Sequence, residues 1–130
     1  MTKIEIGETF SASTVIDDGH SAEHYGSTGV DVVSTPALIG LLEMAGVTYL
    51  RSRIGPDEGT VGIQVNVEHL AAAPIGSTVE ASVTVTSVDG KRVGFDVEAR
   101  WNEVVLMRGS HQRAVVNMAR FIAGLPARPK

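Results

Sequence analysis

The chain has 130 residues, 43% hydrophobic and 20% charged, with a formal net charge of -4 and no cysteine. One ordinary domain over residues 1–130 is the expectation, with enough apolar mass for a packed core and against disorder. Disulfide scaffolds and cysteine-based zinc sites are excluded, and the acidic balance weighs against nonspecific nucleic-acid binding.

The start, Met1-Thr2-Lys3-Ile4-Glu5-Ile6, lacks the basic region and apolar run of a secretory leader, so a cytoplasmic location is expected. Alternating β-branched residues through Val15 predict a strand in the first fifteen residues. From Ile16 to Val33 the chain turns to Asp, Gly, Ser and His, loop chemistry, and a loop of this length is expected to act as a lid. Ser34 or Thr35 as N-cap, Pro36 in the first turn and Gly55-Pro56 as terminator predict a helix from about Pro36 to Arg53. It is apolar nearly all round, which predicts burial on most sides. Glu43, two glycines and several hydroxyls interrupt its apolar run, so it is not expected to span a membrane.

Four strands are predicted after it, Val61 to Leu70, Thr78 to Val88, Val93 to Trp101 and Val104 to Met118. Turn signals at Pro74-Ile75-Gly76, Asp89-Gly90 and Asn102-Glu103 predict three successive hairpins, hence an antiparallel meander. The plan is α+β, a curved sheet wrapped around one central helix, with a frayed tail over 124–130.

Glu43 is the only charged residue between Asp31 and Arg51, and it stands mid-helix. A desolvated carboxylate is raised in pKa and reactivity, so it is either paired structurally or kept for acid-base or nucleophilic work. His69 shares the odd-numbered face of its strand with Val61, Ile63, Val65 and Val67, while Gly62, Gln64, Asn66 and Glu68 take the other face. An inward imidazole opposite a helix carboxylate is expected to share a site with it. Thr35, the apparent N-cap, stands where free backbone N–H groups favour a carbonyl oxygen turning anionic.

Thr35 and Glu43 are eight residues apart, about 12 Å of rise and about 80° of rotation on a helix. They cannot touch within one chain. If both act on one substrate, the simplest solution is a two-fold homodimer with antiparallel central helices and its active site at the interface, alone or within a tetramer. His20 and His24 lack a third ligand, so no metal is expected. Arg113 and the pair Lys91-Arg92 read as solvated surface, with a phosphate contact as the alternative. No phosphate loop, nucleophile elbow or dinucleotide fingerprint occurs.

Three segments together resemble a known family. They are Thr35-Pro36-Ala37-Leu38-Ile39-Gly40-Leu41-Leu42-Glu43-Met44-Ala45, Gly62 with Val67-Glu68-His69-Leu70-Ala71-Ala72-Ala73-Pro74-Ile75-Gly76, and Ser110-His111-Gln112-Arg113-Ala114-Val115. The family is the hotdog-fold acyl-CoA thioesterases of the fluoroacetyl-CoA type, and the resemblance runs from Thr35 to about Phe121. It implies a hotdog fold and a catalytic set of Thr35, Glu43 and His69. It also implies that the Gly62 N–H binds the thioester oxygen and that Arg113 lies near the coenzyme A phosphates, with no cofactor. The chain departs from the family before Thr35, where the fluoroacetyl-selective enzyme has an aromatic lid and this chain has Ser27-Thr28-Gly29-Val30-Asp31-Val32-Val33. The expected activity is therefore hydrolysis of a small or medium acyl-CoA. The alternatives are a hotdog hydratase or dehydratase on a β-hydroxyacyl thioester, or a non-catalytic acyl-CoA binding module.

Overall fold

The computed structural model describes residues 3–129. Its strands are β1 (Thr9–Val15), β2 (Glu58–His69), β3 (Thr78–Asp89), β4 (Arg92–Trp101) and β5 (Val104–Asn117), and its helices α1 (Thr35–Arg51) and α2 (Met118–Ala123). The strands form one antiparallel sheet in the order β1-β3-β4-β5-β2.

Period-two patterning explains the core. Val79, Ala81, Val83 and Val85 of β3, with Val93, Phe95, Val97 and Ala99 of β4, are almost fully buried, while Glu80, Asp96 and Glu98 point away. On the buried side lies α1, contributing Ala37, Leu38, Leu42, Ala45, Tyr49 and Leu50 to the same cluster. Fully burying one such aliphatic side chain contributes about 1.5–3 kcal/mol, so this layer contact dominates stability.

The expected meander is corrected. Only β3-β4 and β4-β5 are hairpins, turning at Gly90 (φ +60°) and at Asn102 (φ +53°). The segment around Pro74-Ile75-Gly76 is not a hairpin turn, because β2 pairs with β5 and lies three strand spacings from β3. Those spacings total about 14 Å. Residues 70–77, extended through the Ala-Ala-Ala-Pro run, reach about 26 Å and make the crossover. Backbone bonds to Leu106, Val33 and Ile16 hold this crossover down.

The other differences are local. Among the described residues the first strand runs over Thr9–Val15, after a turn at Gly7 (φ +94°), and Met1 and Thr2 lie outside them. The last ends at Asn117, whose side-chain oxygen accepts from the Arg120 N–H and caps α2. Residues 124–129 are exposed and carry no regular helix or strand, and Lys130 lies outside the described residues. The 16–33 loop is a folded flap. Its Ala22 and Glu23 N–H groups donate to Val32 and Val30, and Ile16 and Val33 anchor its ends in the core. Among the described residues no helix is long and apolar enough to cross a membrane.

Burial of α1 on most sides is also corrected. Its face of Gly40, Met44 and Thr48 is open, with Met44 59% exposed. The free edge of β2 beside it shows Ile63, Val65 and the neighbouring Leu70 to solvent.

Candidate active site

The cap of α1 is Ser34, whose hydroxyl accepts from the Ala37 N–H at 3.2 Å. Thr35 is therefore the first helical residue and not the cap, which leaves its own hydroxyl uncommitted to the helix. That hydroxyl lies 2.7 Å from His69 Nδ1. A cleft of about 290 Å³ opens onto this pair, walled by Ala22, Tyr25 and Val32 of the flap and by Pro36.

Glu43 lies two turns further along α1, and its side chain is 42% exposed in the chain, not buried as its apolar neighbours predict. Its Oε2 accepts from Arg113 Nη1 at 3.4 Å. A Cβ added to Gly62 would stand 2.9 Å from that oxygen, so the carboxylate rests against bare backbone.

Gly62 reaches this face through a bulge. Between Gly62 and Gln64 the pairing of β2 with β5 shifts by one, with Gly62 opposite Arg113 and Val65 opposite His111. Thr60 and Gly62 thus share the helix-facing side with Val65, Val67 and His69, although strict alternation assigns Gly62 to the opposite face. Val61 pairs with Ala114 and faces away.

Arg113 is the clearest departure from expectation. It is 5% exposed in the chain, neither a solvated surface residue nor open to a phosphate. Its Nε donates to Thr60 Oγ1 at 3.0 Å, its Nη2 to the Thr60 carbonyl at 3.2 Å, and its Nη1 toward Glu43. Burial pushes the guanidinium below its usual range and the Glu43 charge opposes that shift. It remains a cation that fixes one side of the carboxylate.

Sequence reasoning missed His111 as a site residue. It stands two positions before Arg113, hence on the same face of β5, and that period-two spacing was the available signal. His20 is engaged locally, its Nδ1 2.8 Å from the Asp17 backbone N–H. Among the described residues no three His, Cys, Asp or Glu side chains are gathered to hold a metal.

Within the chain the structure therefore brings together two separate sets, Thr35 with His69 and Glu43 with Gly62, Arg113 and His111. A helix wrapped by a five-stranded antiparallel sheet, carrying a carboxylate midway and a Thr-His pair at its N-terminus, is a hotdog fold of the thioesterase class. The chain belongs to the family of fluoroacetyl-CoA-specific thioesterases, whose profile matches residues 16–119. It is 29% identical over 126 residues to the fluoroacetyl-CoA thioesterase of Streptantibioticus cattleyicolor, covering 92% of this chain and 91% of that protein. A solved structure of the fluoroacetyl-CoA thioesterase superposes with a TM-score of 0.89 at 28% identity, covering 95% of this chain and 99% of that one. A thioesterase-superfamily member from Thermus thermophilus shares the fold, with a TM-score of 0.86 at 24% identity over 95% of this chain and 91% of its own.

Proposed function

We propose that the protein hydrolyses a small or medium acyl-CoA thioester to the free acid and coenzyme A, in a homodimer whose two sites each draw on both chains. The observation that carries this reading is the division of the expected set into two half-sites at different heights on α1. Two open surfaces support it, the Met44 face of α1 and the unpaired edge of β2. Joining two β2 edges about a two-fold axis covers both, runs the helices antiparallel, and sets Thr35 and His69 of one protomer opposite Glu43 and Gly62 of its partner.

In such a site the acyl chain enters the flap-walled cleft beside Thr35 and His69. Glu43 delivers the oxygen, from a water it deprotonates or from its own carboxylate through an anhydride that water then opens. The carbonyl oxygen turns anionic beside the Gly62 N–H and the Thr35 hydroxyl, a contribution of about 3 kcal/mol per donor. The C–S bond breaks, and the departing thiolate takes its proton by way of His69. Arg113 is assigned to the carboxylate instead of to the coenzyme A phosphates, since its donors are engaged within the protomer.

The test is complementation between inactive chains. Free thiol release is followed on acyl-CoAs from acetyl and fluoroacetyl to phenylacetyl and octanoyl, with wild type, Glu43→Gln and His69→Ala. Each variant alone loses turnover. The doubly tagged heterodimer of the two variants carries one intact site and recovers about half of the wild-type rate. A silent heterodimer refutes the shared site, and a silent wild type refutes hydrolysis.

A further inference from the structure

Behind Glu43 lies a titratable side chain to which the reaction above gives no part. His111 is 1% exposed, with its ring stacked on Phe95 at 6.5 Å between centroids. Gly46 of α1 passes over it, and a Cβ there would lie 3.4 Å from Arg113 Cδ and 3.7 Å from His111 Cδ2. The helix thus rests directly on the His111-Arg113 pair.

The contacts of His111 fix its protonation state. Nδ1 lies 2.9 Å from the Gln64 carbonyl, which can only accept, so Nδ1 carries the proton. Nε2 lies 3.3 Å from Arg113 Nη1, which can only donate, so Nε2 is bare. The imidazole is therefore neutral, in one tautomer. Burial, aided by the nearby Arg113 charge, holds its pKa below the ordinary 6.5. The charged groups acting on it are Arg113 of β5 and Glu43 of α1, while β4 lays Phe95 against its ring and β2 brings the uncharged Gln64 carbonyl and Gly62 to it.

We propose that His111 is a positioning residue for the hydrolytic carboxylate: its Nε2 holds Arg113 against Glu43, and the Gln64 carbonyl, accepting from Nδ1–H, fixes the tautomer that leaves Nε2 an acceptor. This rests on the reading of Glu43 as the group that delivers oxygen. The chain of donors runs one way. Arg113 Nη1 gives hydrogen bonds toward Glu43 and His111, and His111 gives its own to the bulge, so Gly62, Arg113 and the carboxylate are set relative to one another. A proton on Nε2 would put two donors face to face and release the guanidinium.

Two substitutions separate the two contacts, because an Asn amide overlays Nδ1 of histidine and a Gln amide overlays Nε2. His111→Gln keeps an acceptor for Arg113. His111→Asn keeps the donor to the bulge and removes the acceptor that Arg113 Nη1 has in the imidazole. In thiol release with the best acyl-CoA of the wild type, His111→Gln holds kcat within about threefold, while His111→Asn loses about tenfold with KM changed by less than about twofold. Equal kcat in the two variants, or losses that follow their unfolding temperatures, would overturn the proposal. The wild-type imidazole supplies a readout independent of turnover: ¹⁵N shifts must report the Nδ1–H tautomer, and an Nε2–H tautomer at neutral pH overturns it. Failure of wild-type hydrolysis is read from the wild type alone, so it is distinct from failure of this proposal.

Discussion

Gly62→Ala places one methyl group against the carboxylate. The added carbon would stand 2.9 Å from Glu43 Oε2, 3.4 Å from Arg113 Nη1 and 3.6 Å from His111 Cε1. Relieving the first contact to an ordinary separation moves the carboxylate by about 0.5 Å, and its bond to the Arg113 guanidinium is already long at 3.4 Å. Misplacement by about 1 Å costs about 100-fold in rate, so a loss of about tenfold to 100-fold in kcat is expected. Gly62 is outside the left-handed region, so alanine brings no backbone strain and the unfolding temperature stays near wild type. Gly46→Ala is the matched control. Its Cβ would meet the same pair at ordinary contact distances in a helix interior, so it stabilises by about 0.5–1 kcal/mol with activity kept. Thiol release gives the rates and circular dichroism the melting points. A Gly62→Ala protein that hydrolyses at the wild-type rate refutes the placement of the carboxylate against this backbone.

Gly109→Ala is expected to act on folding instead. Its Cβ would fall 2.0 Å from the Asn66 carbonyl oxygen and 2.8 Å from Val67 Cα, both backbone, so β2 must leave β5 at a cost of roughly 3 kcal/mol or more. A melting point lowered by less than about 5 °C contradicts this. Stability also depends on pH through His111, whose pKa is below 6.5 in the fold and ordinary when unfolded. Its contribution is complete above 6.5 and is lost as pH falls from there through the folded value, because the unfolded chain takes the proton first. Melting points from pH 8 to 5 should fall in wild type and stay flatter in His111→Gln. Below the ordinary 4.5 both decline further, since Glu8, held down by the Tyr49 hydroxyl, and Glu58, held down by the Gly55 N–H, must be protonated.

Helix α1 was readable because its punctuation is local: a hydroxyl cap, a proline in the first turn, and Gly55-Pro56 beyond the end. Strands β3 and β4 were readable because their alternation is uninterrupted over four inward positions each. The crossover was not, since Pro74-Ile75-Gly76 looks the same whether a strand returns beside its predecessor or three places away. Thr35, Glu43 and His69 stood out as polar groups on apolar elements, and the impossibility of a direct Thr35-Glu43 contact followed from helix geometry alone. What escaped was the depth of Arg113 and the part of His111. A charged residue on a final strand gives no local sign of whether its face is covered, and here α1 covers it through a glycine.

Gly62 and His69 are seven positions apart, an odd count that a regular strand assigns to opposite faces, yet both face α1. From Thr60 to His69 ten residues run opposite the nine from Met107 to Val115. The surplus residue falls at Ile63, which has no place in the ladder. The placement of the two sets along β2 is therefore a property of the bulge, not of the strand. A graft of the Gly62-to-His69 stretch onto a flat sheet would deliver the imidazole and the glycine to different sides. A transplant that carries Ile63 as the surplus residue against the shorter facing strand would keep them together.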